Sequence, residues 1–463
     1  MQALQIENLR PGAGVHFIGI GGVHMRAHAE QMHNSGYTVS GSDRSESVAA
    51  AHLASLGIRV HIGHAAENIP LETALVVYTA AVQADNAELV AAHARGIPVM
   101  ERATLLGQIM KNYAHPICFS GTHGKTTATS MAAEIFLAAN ANPSVAVGGV
   151  LPSIGGTVRD GGRDVFVVES CEYHDQFLQF FPFIGVVLNI EMDHADYFAD
   201  VNAIYASFRR FAERIPADGA LIAHGGIERL AWLTAGLPCR VITVDTDGAD
   251  WTAGGIRYDE NGCAAFTALR GGEAMGEVRL SVPGRHNVGN ALSAMAAADL
   301  LGVDFAAICE GLRSFRGTNR RAEIKGRLAS GAVLMDDYAH HPTEIRATLA
   351  AAKAAAYNRV FCLFQPHTRS RTAALLDDFA ASFADADEVI LLDIYEPAGR
   401  EEHNYNVTSG DLAVLLAARG ACVYYAKNRL DAASYIQKKS VHNDLCITMG
   451  AGDITYMDKV LLS

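Results

Sequence analysis

The chain has 463 residues, 50% of them hydrophobic and 19% charged, enough for about three domains that each bury a full core. Its formal charge of −13 and the lack of a Lys/Arg cluster argue against nucleic acid as a partner, and an anionic substrate would need local donors to hold it against the overall field. No apolar run reaches the ~18 residues that span a bilayer, "MQALQIENLRPG" does not read as a secretory signal, and eight cysteines without a C-x-x-C pair speak against zinc or a disulfide framework, so a cytoplasmic protein without membrane insertion is expected.

The first unit, residues 1–112, alternates short apolar runs with helical stretches. "GVHFIGI" (14–20), "YTVSGSD" (37–43), "IRVHIG" (58–63) and "ALVVYTAAV" (74–82) read as strands, and 23–35, 46–56 and 85–95 as helices. That alternation implies an α/β fold with a Rossmann-like parallel sheet. Gly19, Gly21 and Gly22 follow the first strand and open a helix, as in a diphosphate-binding loop. The position of a dinucleotide loop's third glycine holds His24. Asp43, ~20 residues on, is where an acid often takes a ribose hydroxyl, which raises an NAD-dependent oxidoreductase as one reading. That reading leaves residues 115–463 unexplained. Arg26 lies in the first helical turn, where a cation is unfavourable by ~0.3–1 kcal/mol, so it either faces phosphates or points to solvent.

The second unit, residues 113–321, opens with a strand that leads into "SGTHGKTT" (120–127) and then a helix. Gly121 and Gly124 let the backbone turn its N–H groups inward, and the helix start favours an anion. Lys125 can reach terminal phosphates, and the Thr126 hydroxyl suits a magnesium ion. Phe119 stands where the common triphosphate loop has its first glycine. "DVFVVES" (164–170) and "IGVVLNI" (184–190) read as strands whose ends carry Glu169 and the cluster Glu191, Asp193 and His194. That cluster reads as a metal or substrate site, although a hard cation prefers oxygen to imidazole. A Gly-rich, hairpin-like stretch (245–282) precedes a loop and strong helix at 282–302.

The third unit, residues 322–463, offers strands at 332–342, 359–367, 388–395 and 445–453, each ending in a polar loop. Ligands gather at such carboxyl ends in open α/β sheets.

The motifs, taken in order, carry a resemblance. "HFIGIGG" (16–22), "SGSD" (40–43), "SGTHGKTTATS" (120–130), "VVESCEYHDQFL" (167–178) and "NIEMDHADYF" (189–198) are followed by "PGRHNVGNALSA" (283–294), "DDYAHHPTEIRATL" (336–349), "FQPHTRSRT" (364–372) and "TMGAGDI" (448–454). Along essentially its whole length the sequence resembles the Mur ligases, ATP-dependent amide-forming enzymes of peptidoglycan synthesis. It is most similar to the branch that joins L-alanine to UDP-N-acetylmuramate. The resemblance implies three domains: a UDP-sugar domain (1–112), a P-loop-type ATP domain (113–321) and a Rossmann-like amino-acid domain (322–463). It implies ATP and Mg²⁺, with Mn²⁺ able to substitute, and a monomer or weak homodimer.

By the same resemblance, Gly19, Gly21, Gly22, Asp43 and His64 would hold the sugar nucleotide. Gly121, Thr122, His123, Gly124, Lys125, Thr126 and Thr127 would cradle the ATP phosphates, with His123 also reaching the substrate. Thr126, Glu169 and His194 would hold metal. Asn287 and Asn290 would meet the adenine side, Arg321 and Asp337 the ribose and phosphates. Arg371 would take the alanine carboxylate, and His340, which titrates in a useful range, is the candidate base for its amine.

The sequence departs from the family pattern at several points. "FRRF" (208–211) has no lysine to be carbamylated, so an unmodified second metal site is expected. Thr368 replaces an arginine after Q-P-H, with Arg369 one place later, and Ala322 replaces an aromatic. A sister ligase that attaches a tripeptide to the same sugar nucleotide in peptidoglycan recycling carries a longer insertion after its E-x-D region. Here "LQFFPFIGVV" runs straight into the next strand, which favours the alanine-adding form.

Overall fold

A computed structural model describes residues 6–79, 82–397 and 405–463. The described residues build three sheets. The first contains β1 (Gly14–Ile18), β2 (Thr38–Asp43), β3 (Arg59–Ile62), β4 (Thr73–Tyr78) and β5 (Val99–Glu101), all parallel, in the order β3-β2-β1-β4-β5. The order reverses between β1 and β4, so the crevice at their carboxyl ends is a natural ligand position. The strand expected at 74–82 ends at Tyr78, and residues 80–81 lie outside the described residues.

The second sheet has ten strands: β6 (His115–Ser120), β7 (Ser144–Leu151), β8 (Gly156–Arg159), β9 (Val165–Glu169), β10 (Ile184–Val187), β11 (Ala220–His224), β12 (Arg240–Val244), β13 (Trp251–Tyr258), β14 (Cys263–Arg270) and β15 (Glu273–Pro283). Its order is β15-β14-β13-β12-β11-β10-β6-β9-β7-β8, parallel around β6 and antiparallel at both margins. The hairpin expected at 245–282 is thus a three-strand meander. β14 alternates buried and half-buried residues, as a sheet with one solvated face does.

The third sheet contains β16 (Glu323–Arg327), β17 (Val333–Asp337), β18 (Val360–Phe364), β19 (Glu388–Leu391), β20 (Val423–Tyr425) and β21 (Leu445–Met449), ordered β16-β17-β21-β18-β19-β20. Only β16 runs antiparallel to its neighbour among these pairs. β17, β18 and β21 are buried at every position because helices cover both faces, which is why they read as continuous apolar runs. The chain is therefore three-domain α/β.

The first and second sheets share one hydrophobic core. Leu105, Leu106, Ile109 and Met110 of the helix Arg102–Met110 pack in it with Phe177, Phe180, Phe208 and Phe211. Gly107 allows that crossing: a Cβ there would lie 1.9 Å from the Gln179 carbonyl oxygen. Phe208 and Phe211 form the buried stripe of the helix Val201–Ala212, which Asp200 caps by accepting from Ala203 N at 2.9 Å. The two arginines between them turn outward, Arg209 to Glu213 and Arg210 to Asp175. Among the described residues no helix is long and apolar enough to cross a membrane.

Candidate active site

The loop after β6 sits at the centre of the second sheet, between the ends of β9 and β10. Gly121 (φ 142°) and Gly124 (φ 80°) adopt backbone angles that suit glycine, and the helix Lys125–Ala138 starts directly behind them. Asn189, just after β10, clasps the loop: its Oδ1 accepts from His123 N at 2.8 Å and its Nδ2 donates to the His123 carbonyl at 3.1 Å. Glu191 N donates to Thr122 Oγ1 at 2.9 Å. The phosphate loop is therefore fixed by the segment that carries the acidic cluster.

Lys125 lies in this cradle. Its Nζ donates to Gly121 O at 2.5 Å and to Glu172 Oε2 at 2.9 Å. Burial alone would pull the lysine pKa down, but Glu172 beside it outweighs burial and raises it, so Lys125 is a fixed cation. Thr126 Oγ1 donates to Glu169 Oε1 at 3.0 Å, and Glu169 Oε2 accepts from Gly148 N at 2.6 Å. A Cβ at Gly148 would fall 2.6 Å from that carboxylate, so the glycine makes the approach possible. The hydroxyl–carboxylate pair is a hard oxygen set that fits Mg²⁺. His194 (φ 53°) stacks on Tyr173 at 4.4 Å between centroids, and its Nε2 is 3.7 Å from Glu172 Oε1.

Residues 191–193 are met by the third domain one after another. Thr343 Oγ1 donates to Glu191 Oε2 at 2.5 Å, His341 Nε2 lies 3.1 Å from the Met192 carbonyl, and Arg371 Nε donates to Asp193 Oδ1 at 2.9 Å. His123 sits between Glu191 (3.5 Å) and Glu344 (3.6 Å). Burial opposes its charge, yet the two carboxylates raise its pKa to about 9, and Glu191 in turn falls to about 2 despite its own burial. His123, Glu191 and His341 converge closely enough to hold a metal ion. His341, however, already has Met192 O at one ring nitrogen and Thr343 N at the other.

A cleft of about 990 Å³ opens beside the loop, lined by His123, Gly124, Thr127, Asn287 and Asn290 on one wall and by Arg321, Asp337 and Thr343 on the other. Asn290 Nδ2 donates to Asn287 Oδ1 at 3.0 Å, which fixes Asn290 Oδ1 against Gly124. His286 lines the same space, and burial lowers it to about 4, so it is neutral. Asp337 accepts from Ala322 N and Ala339 N, both at 2.8 Å, so it braces the backbone around the cleft. Arg321 reaches Glu344 at 3.4 Å and lies over the Tyr338 ring.

Three of the expected residues and loops have contacts that bear on their roles. His340, the candidate base, is pushed down to about 3 by burial, and its Nδ1 faces the Tyr338 carbonyl at 2.9 Å. With that nitrogen turned to a carbonyl, His340 has the geometry of an orienting group. Arg371 has Nε and Nη2 on Asp193, leaving Nη1 toward His367 at 3.3 Å. Arg369 turns away to Glu396 and the Val407 carbonyl. In the first domain, Gly19 and Ile20 N–H groups go to the Ser42 carbonyl, Gly21 N–H to Asp43 Oδ2 at 2.8 Å and Gly22 N–H to Gly19 O. The glycine amides hold the loop's own shape, and an anion would meet the start of the helix Val23–Asn34, which has no side-chain cap. Arg26 pairs along that helix with Glu30 at 3.5 Å; the side chain of His24 lies outside the described residues.

The expected residues thus form two groups. Gly19, Gly21, Gly22, Asp43 and His64 surround the mouth of the first sheet; the remainder cluster where the second and third domains meet. Glu172, Asn189, Thr343 and Glu344 were not anticipated. Glu172 lay in a quoted motif, but only the fold shows that it meets Lys125.

A phosphate loop with a half-buried lysine, a threonine–carboxylate pair and a third domain packed against it define a nucleotide-dependent enzyme. The comparisons give the particular family. Mur ligase family, catalytic domain matches residues 14–114, Mur ligase middle domain 119–298, and Mur ligase, glutamate ligase domain 320–452. The chain belongs to the Mur ligase family, and it is an ATP-dependent amide-forming ligase. It is 47% identical to the UDP-N-acetylmuramate–L-alanine ligase of Agathobacter rectalis, over 97% of both chains, and 43% identical to that of Acetivibrio thermocellus, over 100% of this chain and 98% of the other. The crystal structure of UDP-N-acetylmuramate-alanine ligase from Thermotoga maritima superposes with a TM-score of 0.80 at 28% identity, covering 97% of this chain and 98% of that one. A murein peptide ligase from Psychrobacter arcticus does so with 0.71 at 25%, over the same shares.

Proposed function

We propose that the protein joins L-alanine to the lactyl carboxylate of UDP-N-acetylmuramate in the cytoplasm, with ATP converted to ADP and phosphate. The observation that carries this reading is the 47% identity to an alanine-adding ligase across 97% of the chain. The residues supply the chemistry. A carboxylate is a poor acylating agent, so its oxygen first attacks the γ-phosphorus of ATP; the bond to ADP breaks and an acyl phosphate forms. The neutral amine of alanine then attacks the acyl carbon, phosphate leaves, and the amide nitrogen gives up its proton. Both steps depend on positioning and charge neutralisation. Lys125 is the fixed cation at the phosphates, and the start of the helix Lys125–Ala138 adds its dipole.

Thr126 and Glu169 would hold Mg²⁺, or Mn²⁺ in its place, with His194 beside them; the ion would supply neutralisation of phosphate charge. The first domain takes the sugar nucleotide at its sheet mouth, the cleft of the second takes ATP, and the third presents alanine. His340 and the Nη1 edge of Arg371 orient the amino acid. The protein acts as a monomer or weak homodimer.

A second reading, attachment of a tripeptide to the same sugar nucleotide, is favoured by the likeness to the murein peptide ligase. One assay separates them: ADP formation with UDP-N-acetylmuramate and, in turn, L-alanine, glycine, L-serine and a tripeptide. Preference for L-alanine supports the proposal, and preference for the tripeptide overturns it.

A further inference from the structure

Glu88 is completely buried in the first domain, on the helix Ala87–Ala94, far from the phosphate loop in sequence. A buried carboxylate needs donors, and this one gathers four: Ser42 Oγ at 2.5 Å, Asn68 Nδ2 at 2.6 Å, Ala65 N at 3.4 Å and His16 Nε2 at 3.5 Å. Burial works against its ionisation, but the hydrogen bonds from His16, Ser42 and Asn68 hold its carboxyl below the usual carboxylate range. The site is therefore a fixed negative charge beneath the carboxyl ends of β1, β2 and β3.

The Ser42 contact has a direction. A hydroxyl has one proton, and Ser42 gives it to Glu88. Its oxygen is then the acceptor for His64 Nδ1, 2.9 Å away. Neutral His64 is consequently held with its proton on Nδ1, leaving Nε2 as the nitrogen not engaged by Ser42. The side chain of His64 is 26% exposed, and Glu88 Oε2 lies 3.7 Å from its Nδ1. The neighbouring titratable group is His16, which shares the same carboxylate from β1 and has Ser40 Oγ 2.9 Å from its other nitrogen. On the outer side, Gly63 N donates to the Asp43 carbonyl and Asp43 anchors Gly21, so the His64 loop and the glycine loop form one rim.

We infer that Glu88 is a positioning residue for nucleoside diphosphate binding: through Ser42 it fixes the ring of His64 and backs it with negative charge, so that His64 takes up a proton when the diphosphate arrives and donates to it from Nε2. The arrangement follows the way an imidazole's second hydrogen bond sets its tautomer and basicity. It rests on the reading of this rim as the sugar-nucleotide site.

The test is calorimetric titration of the full-length protein with UDP, in buffers of different ionisation enthalpy, for wild type, Ser42→Ala, Glu88→Gln and His64→Gln, with the ATP KM measured alongside. Wild type is expected to bind UDP with net proton uptake. Ser42→Ala, which leaves Glu88 its other three donors, is expected to weaken UDP about tenfold and to abolish the uptake, as is His64→Gln, with the ATP KM unchanged. Glu88→Gln is read the same way provided its thermal midpoint is retained. Ser42→Ala binding UDP with wild-type affinity and wild-type proton uptake overturns the relay and leaves the functional reading standing. Wild type failing to bind UDP overturns the functional reading itself.

Discussion

Arg371 and Asp193 join the third domain to the second: Nε and Nη2 of the guanidinium both lie 2.9 Å from Asp193 Oδ1, and both side chains are 7% exposed. Burial works against the ionisation of Asp193, but the arginine beside it outweighs burial and keeps its carboxyl well below the usual carboxylate range. Breaking a buried pair strands the remaining charge at a cost of about 3–5 kcal/mol. Asp193→Asn is therefore expected to lower the urea midpoint and also kcat, because His194 is the next residue. Arg371→Met with Asp193→Leu removes both charges and is expected to recover much of the stability but not the turnover. An Asp193→Asn protein with a wild-type urea midpoint would show that the pair does not hold the two domains together.

Lys125 has a different balance. Its nitrogen is held by Glu172 and by the loop carbonyls of Gly121 and Thr122. Loss of one preorganised cationic donor at a developing charge costs about 10²–10³ in kcat. Lys125→Ala is expected to fall by at least that much in phosphate release and to be destabilised, since Glu172 then lacks its partner. Adding Glu172→Gln should restore the thermal midpoint while activity stays low. Phosphate release by Lys125→Ala at the wild-type rate would remove the lysine from the phosphate site.

Gly107 tests the junction of the first two domains. The Cβ of an alanine would sit 1.9 Å from the Gln179 carbonyl oxygen, a backbone atom that cannot swing aside. Overpacking of this kind costs about 1–3 kcal/mol. Gly107→Ala is expected to lower the midpoint of unfolding, and Gly57→Ala is the informative contrast: nothing lies within 4 Å of its Cβ position, and its positive φ is the sole penalty. Equal losses at the two positions would show that packing against residue 179 contributes nothing.

What could be read from the sequence was local. "SGTHGKTT" declares a turn, a helix start and a cation within eight residues, and strands β17, β18 and β21 declare themselves as unbroken apolar runs because both faces are covered. The pairings that shape the site are long-range. Asn189 meets His123 across 66 positions and Arg371 meets Asp193 across 178, and no local pattern encodes either. The same holds for the glycine loop: the spacing of Gly19, Gly21 and Gly22 announces a tight turn, but only the pairing of β1 with β2 brings Ser42 O and Asp43 to their N–H groups. His340 was read from its ordinary titration range, whereas burial at the junction of the second and third domains pushes it down to about 3, a long-range effect that no local pattern carries. The stretch 245–282 reads as hairpin-like rather than as three strands because Gly254 and Gly255 interrupt β13 where its register with β14 shifts.

His123 gives the junction a pH dependence. Folding raises it from 6.5 to about 9 because Glu191 and Glu344 flank it, against the opposing effect of burial. A group whose folded pKa is raised contributes stability that is complete below its unfolded value and is lost as the pH climbs through the folded one. The contribution of His123 is thus full below about 6.5 and gone above about 9. Glu191, lowered to about 2, contributes in the opposite window: its share is present above the ordinary carboxylate value of 4.5 and is lost as the pH falls through about 2. Between pH 7 and 10 the wild-type midpoint of thermal unfolding is expected to fall more steeply than that of His123→Gln, which has no proton to lose. Glu344 also contacts Arg321 and the His340 amide, so Glu344→Gln should flatten the same slope while lowering stability at every pH. Parallel curves for wild type and His123→Gln across that range would mean that His123 is not protonated in the folded protein.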